Sequence, residues 1–529
     1  MAADHKKHPS AQPDVGAPGP DSMVQSRQSR FTYRHLRLLQ QASPKSPLRV
    51  IALIDYDAFY AQCESVRLGL PPTVPLAVQQ WNAIIALNYP ARQYGLTRGM
   101  SVDEVKARCP DIVLQHVATW REGSSTWGYW PDVLQRMKTD KAALDPYRLE
   151  ARRTMTLVRE LLTTSPIPIE RASIDEIFLD LSPSVYQELV AQHPELQLSP
   201  SPDLDVHLPL PQLKKGLEWH GAHLLGSRAG QPGDEESARD WDEIALNIGS
   251  RIVNQVRQDI LRQLKYTSSA GIASNKMLAK LAAGRNKPNG QSVVLPKAVS
   301  SFLFSCPVKN IRGLGRDLGR HLVRAFQTDQ AGIWVYNVIR GVDESEVVSR
   351  THTKSMLSAK TFVPRLPADR ASHWLRIFLV DLLGRIHELE AEGCELRPTT
   401  LTLCHHMNGR FGPGLSRQVA ISPAMPISET SLMTAADPLL TKFTKDPKLW
   451  PCQGLSLRLS GFQIKPLRKR TISSYFRRTD VAKQVASVED DRHSQTGRYH
   501  CPYCNRSVGA SGALEHLDWH LAVQLSQDG

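Results

Sequence analysis

The chain has 529 residues, 41% of them hydrophobic, which allows several domains with sizeable cores. Lys and Arg exceed Asp and Glu, 65 against 52, and the pI is about 9.3, so a polyanion, nucleic acid first, is the expected partner unless the charge is only a basic tail. Eight cysteines exclude a disulfide framework, and no apolar run approaches the ~20 residues of a membrane span, so a soluble intracellular protein without a membrane partner is expected.

Residues 1–45, rich in Pro, Gly, Ser, Gln and His, are expected to form a disordered leader. The run Val50–Ile54 predicts a buried strand ending at Asp55, followed by a helix from Phe59 to about Arg67 that stops before Leu70-Pro71-Pro72. Ile84–Leu87 reads as a short strand and residues 149–163 as a helix. Ile167 to Leu181 predicts two strands with a turn near Ile174–Glu176. Residues 183–240 read as a loose insertion. A long amphipathic helix follows over Asp242–Leu264, then a strand over Thr267–Ala273, with Ser274 as N-cap of a helix Lys276–Ala283. From His352 to Lys465 the pattern is strand, helix, strand. Cys63, Cys109, Cys306, Cys394, Cys404 and Cys452 are expected to be buried thiols.

Asp55 and Asp57 follow one apolar strand, and Asp175 and Glu176 lie at a turn between two others. Acids brought together repel one another and resist desolvation. Divalent cations relieve that cost, and Mg²⁺ prefers a few carboxylates plus substrate phosphates. Taken alone, an Asp-Glu pair is more often a solvated turn. The surrounding residues shift the balance.

Asp55-Tyr56-Asp57-Ala58-Phe59-Tyr60 and Ser173-Ile174-Asp175-Glu176 together resemble the two catalytic motifs of the Y-family, or translesion, DNA polymerases. Ile84-Ile85-Ala86-Leu87-Asn88-Tyr89-Pro90-Ala91-Arg92, continued by Tyr94 to Met100, resembles the family's fingers motif. Ala270 to Lys276, Leu278-Ala279-Lys280 and Asn286 to Gly290 resemble the motif that closes the palm. The pieces occur in family order over about residues 48–465.

The resemblance implies an α+β multidomain, right-hand fold. The palm would take residues 46–58 and 119–296, with the insertion at about 183–240. Fingers would take 59–118, a thumb 297–348 and a little finger domain 349–465. A linker would cover 466–498 and a ββα zinc finger 499–525. It further implies that Asp55, Asp175 and Glu176, with the Tyr56 carbonyl, hold two Mg²⁺ ions, and that Asp57 supports them without being a ligand. Phe59 and Tyr60 would lie beside the nucleotide, with Tyr60 as a steric gate against a ribose 2′-hydroxyl. Tyr89, Arg92 and Lys287 would hold the incoming triphosphate, a role suited to a planar guanidinium fork and a point-charge ammonium.

Arg98 matches a residue that, in the branch of the family acting on ultraviolet photoproducts, lies over the incoming base. Gln80 matches a template-base contact from the minor-groove side. Only Trp81-Asn82-Ala83 separate Gln80 from Ile84, so Gln79 is the alternative. Another branch with different lesion choice, or a non-catalytic repair scaffold, are the competing readings. Primer-template DNA and deoxynucleoside triphosphates are the implied partners of a monomeric enzyme.

Lys309 to Gly315 resembles a helix-hairpin-helix turn for DNA phosphate, or is a helix C-cap. Cys501-Pro502-Tyr503-Cys504, eleven residues, then His516 and His520 is the spacing of a tetrahedral Zn²⁺ site. So short a unit needs its metal to fold. Its helix carries Glu515 and Asp518 and no Arg or Lys, unlike a major-groove reader. It resembles a ubiquitin-binding finger, with Asp518 and Ala522 as contacts. Lys469 to Phe476 resembles a sliding-clamp-binding box in which Ile472, Tyr475 and Phe476 fill an apolar pocket, or is linker. A clamp, ubiquitinated, would then be a further partner. Lys465–Arg470 is a weak nuclear localisation pattern, and the expected location is the nucleus.

Overall fold

Apolar runs decide the central sheet. Ile51–Tyr56 forms a strand that pairs antiparallel with Glu176–Asp180 on one side and Ser268–Ala273 on the other. Ile169–Arg171 extends one edge, and Gln291–Val294 and His223–Leu225 extend the other, giving six strands. Both faces are covered, which explains the near-continuous apolar run Val50–Ile54. Ala52, Ile54, Leu179 and Ile272 pack with helices Tyr33–Gln40, Asp145–Leu161, Ser182–Gln192 and Trp241–Leu264. Ile51, Leu53 and Phe178 pack with Leu278, Ala279 and Ala282 of helix Lys276–Ala283 and with Phe302. Gly271 permits that second packing: a Cβ there would collide with the backbone of Ala279 and Ala283.

The computed structural model describes residues 28–163, 167–197, 202–212, 216–226, 240–311, 329–349, 353–407, 414–464, 498–500 and 507–509. A small sheet has Leu76–Gln80 at its centre, antiparallel to Ala83–Leu87 and parallel to Val113–His116. Helices Tyr89–Gln93 and Val102–Arg108 bury Ala91 and Val105 beside it. A four-stranded antiparallel sheet runs in the order Ser355–Leu366, Cys452–Ser460, Thr400–His406, Gly414–Ala420. The helix Ala371–Ala391 meets residues 120–145 through polar contacts. Asp381 pairs with Lys141 at 2.8 Å, Arg385 with Asp145 at 3.0 Å, and Trp127 donates to Glu388 at 3.0 Å. Among the described residues no helix is long and apolar enough to cross a membrane.

A second unit, Leu389–Arg397 with Gln463–Gly529, contains two short antiparallel pairs. Leu396–Arg397 joins Gln463–Ile464, and Arg498–His500 joins Ser507–Gly509. The latter hairpin brackets residues 501–506 and so brackets Cys501 and Cys504 in sequence.

Four expectations need correction. Residues 28–45 of the expected leader are ordered: helix Tyr33–Gln40 buries Tyr33, Leu36 and Leu39. The insertion is not loose where described. It forms helix Ser182–Gln192 and edge strand His223–Leu225, and Val206 and Leu208 accept the amides of Tyr33 and Ser29 at 3.2 Å. The two segments fold on each other, so neither shows its core when read separately. The N-cap of helix Lys276–Ala283 is Asn275, whose Oδ1 accepts the Leu278 amide at 2.9 Å, not Ser274. Cys63, Cys109 and Cys452 are buried, but Cys306, Cys394 and Cys404 are only half-buried.

Candidate active site

Strand register brings the acids together. Asp55 lies directly opposite Glu176. Cross-strand partners share a face, and here it is the face of Leu53 and Phe178, toward helix Lys276–Ala283. Asp175 precedes its strand by one residue, and its carbonyl accepts the Tyr56 amide at 2.9 Å. Ser173 Oγ donates to Asp175 Oδ1 at 2.5 Å and steadies the turn.

Two lysines face these acids. The Lys287 ammonium bonds Asp55, and Lys280 Nζ donates to Glu176 Oε2 at 2.6 Å. Burial pushes the Asp55 carboxyl up to about 6; Lys287 opposes this, while Glu176 and Asp175 push further upward. As the side chains lie, each acid is turned to its own ammonium or hydroxyl. Among the described residues no three acid, His or Cys side chains converge on a point. The donor chemistry nevertheless fits a hard divalent cation. Three carboxylates sit at adjacent backbone positions, and ammonium charge stands where added positive charge relieves their repulsion.

Asp57 is placed apart. It is buried, accepts Ser269 Oγ at 2.7 Å and accepts the Asn289 amide at 2.8 Å. Arg257 Nη2 donates to Asn289 Oδ1 at 2.9 Å. These bonds fix the loop that carries Lys287.

Of the residues expected around a nucleotide, Tyr89 and Tyr60 lie within electrostatic reach of these acids. Asn88 caps helix Tyr89–Gln93, its Oδ1 accepting the Ala91 amide at 3.1 Å, and the Arg92 guanidinium lies 4.6 Å from the Tyr89 ring centroid. Burial raises the Tyr89 phenol, Asp57 raises it further, Arg92 opposes, and Asp55 adds to the rise. The Tyr60 phenol is raised by burial, lowered by Arg148, raised by Asp175 and lowered by Arg98, so these groups share one neighbourhood. Phe59 is buried between Tyr56, at 5.5 Å, and Tyr60, at 6.2 Å, and so backs the corner rather than facing it. Gln79 points inward, its Nε2 donating to the Trp81 carbonyl at 2.5 Å. Gln80, next along the strand, lines a cleft of about 1160 Å³ with Trp81, Lys138, Lys360 and Arg370.

A cavity of about 460 Å³ opens beside Asp55, lined by Lys280, Arg285, Cys306 and Asn310. Lys280 and Arg285 went unassigned from sequence. The i,i+4 spacing of Lys276 and Lys280 was the available signal: both reach acids, Lys276 meeting Glu170 at 2.6 Å. Of the helix-hairpin-helix segment, residues 312–315 lie outside the described residues. So do Ile472, Tyr475 and Phe476, and Cys501, Cys504, His516, Asp518, His520 and Ala522.

The mixed α/β domain thus carries a corner of acids at adjacent strand ends, faced by lysines. Residues 54–284 match the impB/mucB/samB family. Residues 497–528 match the Ubiquitin-Binding Zinc Finger. The chain is 31% identical to "N-acetyltransferase eso1" of Schizosaccharomyces pombe, over 94% of this chain and 64% of that protein. It is 26% identical to DNA polymerase eta of Saccharomyces cerevisiae, over 94% and 92% respectively. It is 32% identical to DNA polymerase eta of Arabidopsis thaliana, over 68% of this chain and 53% of that one.

Proposed function

We propose that this chain is a DNA-directed DNA polymerase of the translesion type, adding deoxynucleotides opposite damaged bases such as ultraviolet photoproducts. The carrying observation is the pairing of Asp55 with Glu176, with Asp175 tied to Tyr56, on the face of Lys280 and Lys287. In this reading the six-stranded sheet is the palm, the small sheet the fingers, and the four-stranded sheet the little finger of a right hand. Asp55, Asp175, Glu176 and the Tyr56 carbonyl hold two Mg²⁺ ions. When bound, such ions activate the attacking hydroxyl and stabilise the leaving phosphate. Tyr89, Arg92 and Lys287 orient the triphosphate, and Lys280 and Arg285 add cationic charge beside Asp55. Tyr60 meets the sugar. Arg98 lies over the incoming base, and Gln80 touches the template base from the cleft it lines.

The C-terminal finger holds one Zn²⁺ through Cys501, Cys504, His516 and His520. It binds ubiquitin through Asp518 and Ala522, and Ile472, Tyr475 and Phe476 engage a sliding clamp in the nucleus. Primer extension with Mg²⁺ on undamaged and thymine-dimer templates tests the enzymatic core. The wild type extends both, and Asp175→Ala with Glu176→Ala loses roughly 10³-fold or more. No extension by the wild type, or full extension by the double variant, would sink the proposal.

A further inference from the structure

Tyr60 does not stand alone. Its ring stacks on Tyr147, with centroids 4.2 Å apart and planes 12° from parallel. Tyr60 belongs to helix Phe59–Arg67 and Tyr147 to the first turn of helix Asp145–Leu161, so the stack joins two elements. Tyr147 is only 1% exposed, and its hydroxyl donates to Glu64 Oε1 at 2.7 Å. Glu64 is equally buried. The Tyr129 hydroxyl donates to the same oxygen at 2.8 Å, and Arg67 Nε donates to Oε2 at 2.7 Å. A buried carboxylate with three donors has one stable orientation. The phenol it holds is fixed at its tip, and packing fixes its plane.

A ring excludes a hydroxyl only if the ring cannot tilt away. Rotating Tyr60 off the Tyr147 face forfeits the stack and moves the side chain from its rotamer. We infer that Tyr147, anchored by Glu64, is a positioning residue for sugar selection. It holds the Tyr60 ring in the one plane that leaves no room for a ribose 2′-hydroxyl. This rests on the reading of Tyr60 as the sugar gate.

The test uses the full chain, Mg²⁺ and a primer-template with thymine as the templating base. It compares kcat/KM for deoxyadenosine triphosphate with that for adenosine triphosphate. Tyr147→Leu keeps the buried bulk but removes the flat face. It is expected to lower the deoxy-to-ribo ratio roughly tenfold, through a gain with the ribonucleotide. Tyr147→Phe keeps the ring and should stay within about threefold of wild type. Tyr60→Ala should lower the ratio further, and adding Tyr147→Leu to it should change nothing more, because the two act through one surface. An unchanged ratio in Tyr147→Leu beside a lowered one in Tyr60→Ala overturns the inference alone. So does an equal loss with both nucleotides, the mark of a merely structural role. An unchanged ratio in Tyr60→Ala overturns the gate reading itself.

Discussion

The side chain of Asp57 and the backbone amide of Asn289 are hydrogen-bonded at 2.8 Å across 232 residues of sequence. Asp57→Ala leaves that amide and the Ser269 hydroxyl without their buried acceptor, at a cost of about 1–3 kcal/mol. The loop carrying Lys287 loosens with it. Steady-state kinetics should show a KM for the incoming nucleotide raised several-fold, with denaturant unfolding shifted to match. An unchanged KM would mean that Lys287 is positioned by other contacts.

Asp381 is wholly buried, 2.8 Å from Lys141 Nζ, 2.6 Å from Arg385 Nη2, and accepts Ser358 Oγ at 2.5 Å. Burial works to raise its carboxyl, but Lys141 and Arg385 outweigh it and hold the group low. Asp381→Ala leaves the buried Lys141 without its carboxylate and Arg385 with Asp145 alone, so a loss of about 3–5 kcal/mol is expected. Thermal or urea unfolding measures it. Lys141→Met with Asp381→Leu should recover part of the loss, since matched apolar residues replace a buried pair well.

Lys360 sends its ammonium between two indoles, 4.3 Å from the Trp374 ring centroid and 4.9 Å from that of Trp81, and donates to the Met137 and Asp140 carbonyls. Burial nevertheless pushes its pKa down to about 7, Lys141 adding to the fall and Asp140 opposing it. The folded value lies below the unfolded one, so between about pH 7 and 10.5 the unfolded chain binds the extra proton. Stability therefore rises with pH across that window, and the penalty is fully present below pH 7. Urea midpoints should show this gain, of several kcal/mol, for wild type and not for Lys360→Met. Parallel pH curves for the two proteins would refute it.

Loss of zinc should separate two activities. Cys501→Ala removes one of the four expected ligands within the region matching a Ubiquitin-Binding Zinc Finger. Binding to ubiquitin, read by calorimetry, should disappear, while primer extension on naked DNA stays within about twofold. Equal loss of both would show the finger to be needed by the polymerase core.

Much of the central sheet was legible because its strands are buried on both faces and read as apolar runs ending at acids. Asp55, Asp175 and Glu176 stand at the ends of such runs but were singled out by the motifs around them, and register explains why Asp55 and Glu176 face each other. Asp57 was expected to support them without being a ligand, and only the structure shows Ser269 and Asn289 as its partners. The pairing of residues 29–34 with 204–208 was not legible, since each segment alternates apolar and polar residues over only five or six positions and becomes a partner only through the other. Glu64 and Tyr147 were missed for a similar reason. A buried Glu on a helix looks like a surface residue until the two phenols that hold it are seen. Gln80 rather than Gln79 lining the cleft follows from strand alternation, which the short turn after them obscured.

The contact between Lys287 and Asp55 has a temporal consequence. A ribosome releases Asp55 long before Lys287, and the strand Ile51–Tyr56 must wait for Ser268–Ala273 before its second edge is paired. Such distant pairing is slow to form and leaves apolar strand surface open meanwhile. A nascent chain ending short of about residue 290 thus carries the acids without the loop that faces them, so synthesis itself keeps the acidic corner incomplete until most of the sheet has emerged.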